Sequence, residues 1–153
     1  MSRGGFFDQL NEDRRRSDAP FLNFGLLADQ AGARRGPTAT SLELVDEVLG
    51  DTDLAGCRVV DVGCGRGGAL RVLGDRRGAD PAIGVDRDLA ALGAARSRTR
   101  RSDTPVVGAD ALHLPLRGGT VDAVVNIESA CLYGDLGGWY QEAARVLAPG
   151  GHL

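Results

Sequence analysis

The chain has 153 residues, with 21 acidic against 18 basic side chains and a formal net charge of −3, which bounds it to one domain and gives no electrostatic case for nucleic acid or an anionic membrane as partner. Every basic residue is an arginine, so Schiff-base chemistry on lysine is excluded. Cys57, Cys64 and Cys131 are odd in number and never spaced C-x-x-C, and His113 and His152 add no clustered ligand spacing, so neither a disulfide framework nor a metal site is indicated and the chain reads as cytoplasmic.

Residues 1–36 mix Gly, Arg and Asp without periodicity. Gly36-Pro37-Thr38 then supplies a break and a helix start, and Leu42, Val45, Val48 and Leu49 recur at helical spacing until Gly50. Arg58 to Val62 is a first strand, apolar without alternation, as expected where a parallel sheet is covered on both faces. A helix from about Gly68 turns Leu70, Val72 and Leu73 inward. Pro81 to Asp86 is the second strand, and Asp88 caps a helix carrying Leu89, Leu92 and Ala95. Val106 and Val107 form a short third strand, 109–119 a loop, and Val121 to Ile127 a fourth strand. Leu136, Tyr140, Ala143 and Leu147 mark an amphipathic helix that Pro149-Gly150-Gly151 ends. Repeating units of this kind predict an α/β fold, a Rossmann-like doubly wound parallel sheet.

The chemistry concentrates where the first strand ends. Gly63, Gly65 and Gly68 satisfy the G-x-G-x-x-G spacing that brings bare backbone against a ligand at a helix N-terminus. Asp61, two residues before the first glycine, lies where it would repel a pyrophosphate, so the loop suits a cationic ligand better. Asp86 ends the second strand at the separation from the loop, about 20 residues, where an acid reaches both hydroxyls of a ribose.

From Val59 to Gly68 the chain resembles the first motif of class I S-adenosylmethionine-dependent methyltransferases. Gly108 to Leu116, Val121 to Asn126 and Arg145 to Gly151 resemble further motifs of that family, in the family's order. The resemblance implies S-adenosylmethionine as cofactor, held by Asp61, Gly63, Cys64, Gly65, Asp86, Arg87, Asp110, Ala111 and Asn126. Asp86 takes the ribose acid's role, while Asp110 and Ala111 take those of the adenine segment. Glu128 and Tyr133, just past the fourth strand, are placed beside the methyl acceptor as the catalytic candidates. Where many relatives that methylate small molecules carry histidines, this chain has Cys131-Leu132-Tyr133. His113 reads as a solvated residue of the adenine segment, Cys64 as a small residue in a tight turn, and Trp139 and Tyr140 as packing residues.

Phe21-Leu-Asn-Phe-Gly25 resembles in part a motif of methyltransferases acting on polyketides, sterols and related lipophilic metabolites, in which the N-terminal segment forms a lid. The implied organisation is a lid over 1–36 and a cofactor-binding domain over 37–153, with a natural-product-like small molecule as acceptor. Two other readings compete: a nicotinamide-dependent dehydrogenase, which leaves Asp61 and Asp110 without a role, and a noncatalytic cofactor-binding fragment. The third follows from length, because the family's sheet has seven strands and Leu153 falls where a fifth should begin. On that reading the chain is the N-terminal half of the fold, its fourth strand is a bare apolar edge, and a homo-oligomer or a partner chain completes the sheet.

Overall fold

The computed structural model describes residues 20, 21, 25, 37–98 and 104–153. Of the lid expected over 1–36, Pro20, Phe21 and Gly25 are described and the rest lies outside the described residues. Phe21 packs against the hydrophobic core, and a Cβ at Gly68 would meet its ring, so the aromatic rests on the start of the helix after the glycine loop.

The elements follow the predicted alternation: α1 (Pro37–Leu49), β1 (Val59–Val62), α2 (Gly68–Asp75), β2 (Ala82–Asp86), α3 (Leu89–Arg98), β3 (Val106–Gly108), β4 (Val121–Val125), a short 3-10 turn (Ala130–Leu132), α4 (Leu136–Val146) and β5 (Leu147–His152). All strands pair in parallel in the order β3-β2-β1-β4-β5. With β1 at the centre, the sheet is wound outward in both directions, and the chain reverses between β3 and β4. Such a reversal leaves a crevice at the carboxyl ends of the central strands.

Every residue of β1 is buried because helices cover both sides. Val59 joins a core with Val45 and Leu49 of α1, Leu70 and Leu73 of α2 and Leu92 of α3. Val60 and Val62 point the other way, into a core with Trp139, Ala143 and Val146 of α4. This alternation places the side chain of Asp61 on the same side of the sheet as Val59.

Three features depart from the expected pattern. The buried stripe of α4 is Trp139, Ala143 and Val146, whereas Leu136 and Tyr140 are 48% and 58% exposed. Asp135 caps the helix by accepting from Gly138 N at 2.9 Å, and within that frame the indole, the largest apolar surface, takes the inward position. In α3, Leu92 and Ala95 are buried with Ala91, but Leu89 is 73% exposed and lies against Gly108 at the end of β3.

The third departure is the largest. Pro149-Gly150-Gly151 does not simply end a helix, because Leu147 to His152 form a fifth strand on the outer side of β4. Val121 pairs with Leu147 and Ala123 with His152, so the segment carries extra residues that bulge between the two pairings. Proline and glycine suit that bulge: Pro149 has no N–H to leave unpaired, and Gly150 takes φ 81°. The fourth strand is therefore not bare along its length. Beyond Ala123 no outer pairing is formed among the described residues, and Val124 and Val125 instead border a cavity of about 260 Å³ with Trp139, Tyr140, His152 and Leu153. Among the described residues no helix is long and apolar enough to cross a membrane.

Candidate functional site

The glycine loop is built by left-handed backbone. Gly63, Gly65 and Gly67 have φ of 79°, 50° and 79°, and Gly67 rather than Gly68 supplies the turn into α2. The loop is tied down on the β2 side, where Val85 O accepts from Gly63 N at 2.7 Å and from Cys64 N at 3.1 Å. Asp86 completes the tie. Its Oδ2 accepts from Gly65 N at 2.8 Å and its Oδ1 from Asp88 N at 2.8 Å, so this acid braces the loop and the start of α3 together. Each oxygen retains acceptor capacity toward the crevice.

Asp61 is 2% exposed, and its Oδ2 has no hydrogen-bond partner among the described residues. Burial, and then the charge of Asp86, push its carboxyl up to about 7. The Cys64 thiol is also driven upward, first by burial and then by Asp61 and Asp86, so it is a neutral small residue in a tight turn and not a thiolate.

Asp110 lies at the carboxyl end of β3, where its Oδ1 accepts from Leu112 N at 2.9 Å in an Asx turn, and Ala109 N reaches back to Asp86 O at 3.1 Å. Ala111 is half-buried against the core that contains Trp139. Arg87 and His113 are exposed. Among the described residues no group of three or more His, Cys, Asp or Glu could hold a metal ion.

At the end of β4 the structure forms a closed polar cluster. Val62 O, the last carbonyl of β1, accepts from Asn126 Nδ2 at 3.0 Å and from Ser129 Oγ at 3.1 Å. Asn126 Nδ2 also donates to Tyr133 Oη at 2.8 Å, Ser129 Oγ lies 3.0 Å from that hydroxyl, and Asn126 Oδ1 accepts from Ala130 N at 3.0 Å. Tyr133 packs edge-on against Trp139, with ring centroids 5.4 Å apart. Its phenol is raised above the ordinary value, first by burial, with the hydrogen bonds to Ser129 and Asn126 opposing, so it is neutral within the cluster. Ser129, which nothing in the sequence singled out, sits directly on Gly63. Glu128 is exposed and takes φ 55°, a strained conformation for a residue with a side chain. The structure thus brings Asp61, Gly63, Cys64, Gly65 and Asp86 to one point, sets Asn126 and Tyr133 beside it, and leaves Arg87 and Glu128 at the rim.

A five-stranded parallel sheet reversing at β1, with a glycine loop between two acids, is a Rossmann-like nucleoside-binding class of fold. Residues 60–153 match the family model described as a methyltransferase domain, and the chain belongs to that family. It is 34% identical over 141 residues to a fatty-acid O-methyltransferase of Mycolicibacterium smegmatis, a match covering 89% of this chain and 52% of that protein. Among solved structures, geranyl diphosphate C-methyltransferase of Streptomyces coelicolor A3(2) superposes with a TM-score of 0.72 at 25% identity, covering 94% of this chain and 62% of that one. The cyclase SpnF superposes at 0.77 with 26% identity, covering 94% and 53%. The chain therefore spans about half the length of the fatty-acid O-methyltransferase.

Proposed function

We propose that this chain is the cofactor-binding half of an S-adenosylmethionine-dependent methyltransferase that acts on a small lipophilic acceptor in the cytoplasm. The observation that carries the reading is the buried Asp61 carboxyl, with one oxygen unpartnered among the described residues, set against a glycine loop that a second acid braces. That pair of acceptor carboxyls fits a nucleoside bearing positive charge and disfavours the pyrophosphate of a nicotinamide dinucleotide.

In this proposal Asp86 accepts the ribose hydroxyls, Asp110 accepts from the adenine amino group beside Ala111 and Arg87, and Asp61 with the backbone of Gly63, Cys64 and Gly65 receives the methionine end. When bound, S-adenosylmethionine supplies a methyl group on a cationic sulfur. The chain's own contribution is positional. The cluster of Asn126, Ser129 and Tyr133 locks the end of β4 onto Val62 O, which fixes the wall next to the glycine loop. Glu128, at the rim, faces the acceptor as base or orienting group. The fatty-acid and geranyl diphosphate relatives support an acceptor with a long apolar chain, as does the partial lid motif whose Phe21 lies on Gly68.

Calorimetric titration with S-adenosylhomocysteine and, in parallel, with NAD tests the cofactor. Asp86→Ala removes a charged acceptor and weakens S-adenosylhomocysteine by roughly 1.5 to 3 kcal/mol, about ten-fold or more. Asp86→Asn is the milder change, because its amide oxygen can still accept from Gly65 N while its NH2 can no longer accept from Asp88 N. Unchanged affinity in both variants sinks the ribose assignment, and binding of NAD alone sinks the methyltransferase reading. Glu128→Gln is expected to lower turnover on an acceptor while leaving cofactor affinity intact. Parallel loss of both assigns Glu128 to the backbone turn at φ 55° instead.

A further inference from the structure

Two acids meet at the glycine loop, and their surroundings treat them differently. Asp86 has each oxygen on a backbone N–H, so both of its acceptor atoms are met in place. Asp61 is 2% exposed, and its Oδ2 finds no donor among the described residues. A carboxylate in such a position keeps its full desolvation cost unless it takes up a proton or meets a cation. The charge acting on it is that of Asp86, which opposes ionisation. The other titratable groups that feel the pair are the Cys64 thiol and the Tyr133 phenol, and both carboxylates push these two toward their neutral forms. Arg66, buried in the same loop, has an interaction of its own.

We propose that Asp61 selects a cationic ligand by exchange: it holds a proton in the ligand-free protein and releases it to solvent as the positive charge of the ligand arrives. This rests on the S-adenosyl reading above and adds to it a reason why one oxygen of Asp61 is left without a donor among the described residues. A fully bonded Asp61 would be ionised at all times and would attract any cation. The unbonded one accepts an N–H donor at the moment its own O–H is lost, and a neutral nucleoside that occupies the Asp86 side gives it no reason to ionise.

Titration calorimetry in two buffers of different ionisation enthalpy reads the exchange directly. With a group near 7, S-adenosylhomocysteine, which keeps its ammonium, is expected to release about half a proton at pH 7, close to one at pH 6 and almost none at pH 9. Its affinity then falls as the pH is lowered below 7, approaching about ten-fold per pH unit. Adenosine, which has no ammonium, binds without proton release. Asp61→Asn abolishes the release and flattens the pH dependence. Binding of S-adenosylhomocysteine with no proton released at pH 6 overturns the exchange, as does release that persists in Asp61→Asn or appears equally with adenosine. Failure of the folded protein to bind S-adenosylhomocysteine at any pH overturns the cofactor reading itself, and the proposal with it.

Discussion

Replacing Asp61 with Asn is expected to raise the thermal stability of the ligand-free protein at pH 8 and to leave it nearly unchanged at pH 5. The sign follows from the direction of the shift. Burial raises the carboxyl from its ordinary 3.8 to about 7, so between those values the folded protein holds a proton that the unfolded chain has already lost. Stability therefore falls as pH rises through that window, and above about 7 the full cost of a buried, poorly solvated charge is present. Three pH units of linkage set an upper limit of roughly 4 kcal/mol, and a gain on the order of 2 kcal/mol is a reasonable expectation once the amide's own unmet donors are counted. For a chain of this size that corresponds to a melting temperature higher by about 4 to 8 °C at pH 8. Melting curves of both proteins at pH 5 and pH 8 make the comparison. Parallel pH dependence in the two would show that Asp61 is solvated or bonded well enough to ionise normally. The same substitution that stabilises the protein is expected to impair its ligand site, the usual relation where a binding group is held in an unfavourable environment.

Much of the fold could be read in advance because a doubly wound sheet writes its strands as apolar runs and its helices as stripes. In Val59 to Val62 and Val121 to Val125 every apolar residue is buried on whichever face it points to, so apart from Asp61 and Asp122 the runs are apolar without alternation. Local chemistry placed Asp88 correctly, since its Oδ1 accepts from Ala90 N at 2.9 Å and Ala91 N at 3.2 Å at the start of α3. What failed locally was phase. Leu136 and Tyr140 fit the 3.6-residue period as well as Trp139 and Val146 do, and only the tertiary position of the indole decides between the two stripes. β5 failed for a different reason, because Pro149-Gly150-Gly151 has poor strand propensity and forms a strand only where β4 offers a partner that a bulge can follow.

Asp61 and Asp86 were legible because each lies at the carboxyl end of a strand beside the glycine loop: Asp61 one residue before the last of β1, Asp86 as the last of β2. Their internal division of labour was not. That Asp86 is bonded by Gly65 N while Asp61 Oδ2 lacks a donor among the described residues depends on how the loop turns back toward β2, a property of three left-handed glycines and not of any spacing. Ser129 is the clearest omission. Its bond to Val62 O joins residues 67 apart in sequence that become neighbours only because β4 lies beside β1. A serine two residues beyond a strand's apolar run carries no signal of such a partner.

Gly63→Ala is expected to be among the most damaging single substitutions in the chain, through two mechanisms that can be separated. At φ 79° any side chain strains the backbone, at a cost of about 1 to 2 kcal/mol. The added methyl would also run into Ser129, with Tyr133 Oη only 3.3 Å away, so the cluster on Val62 O must open. Losing one buried hydrogen bond there adds about 1 kcal/mol or more. The total, roughly 2 to 4 kcal/mol, would show as a fall in the denaturation midpoint. A greater than ten-fold loss of S-adenosylhomocysteine affinity should accompany it, because the displaced wall and the displaced loop are the same structure. Pairing Gly63→Ala with Ser129→Gly removes the collision but leaves the backbone strain, so the double variant should recover part of the stability lost by the first and little of the binding. Full recovery of both would mean that the left-handed turn at Gly63 tolerates a side chain and that packing against Ser129 alone demands glycine. A single variant as stable as the parent would mean that the loop and the β4 cluster move independently, and that Ser129 does not hold the site's geometry.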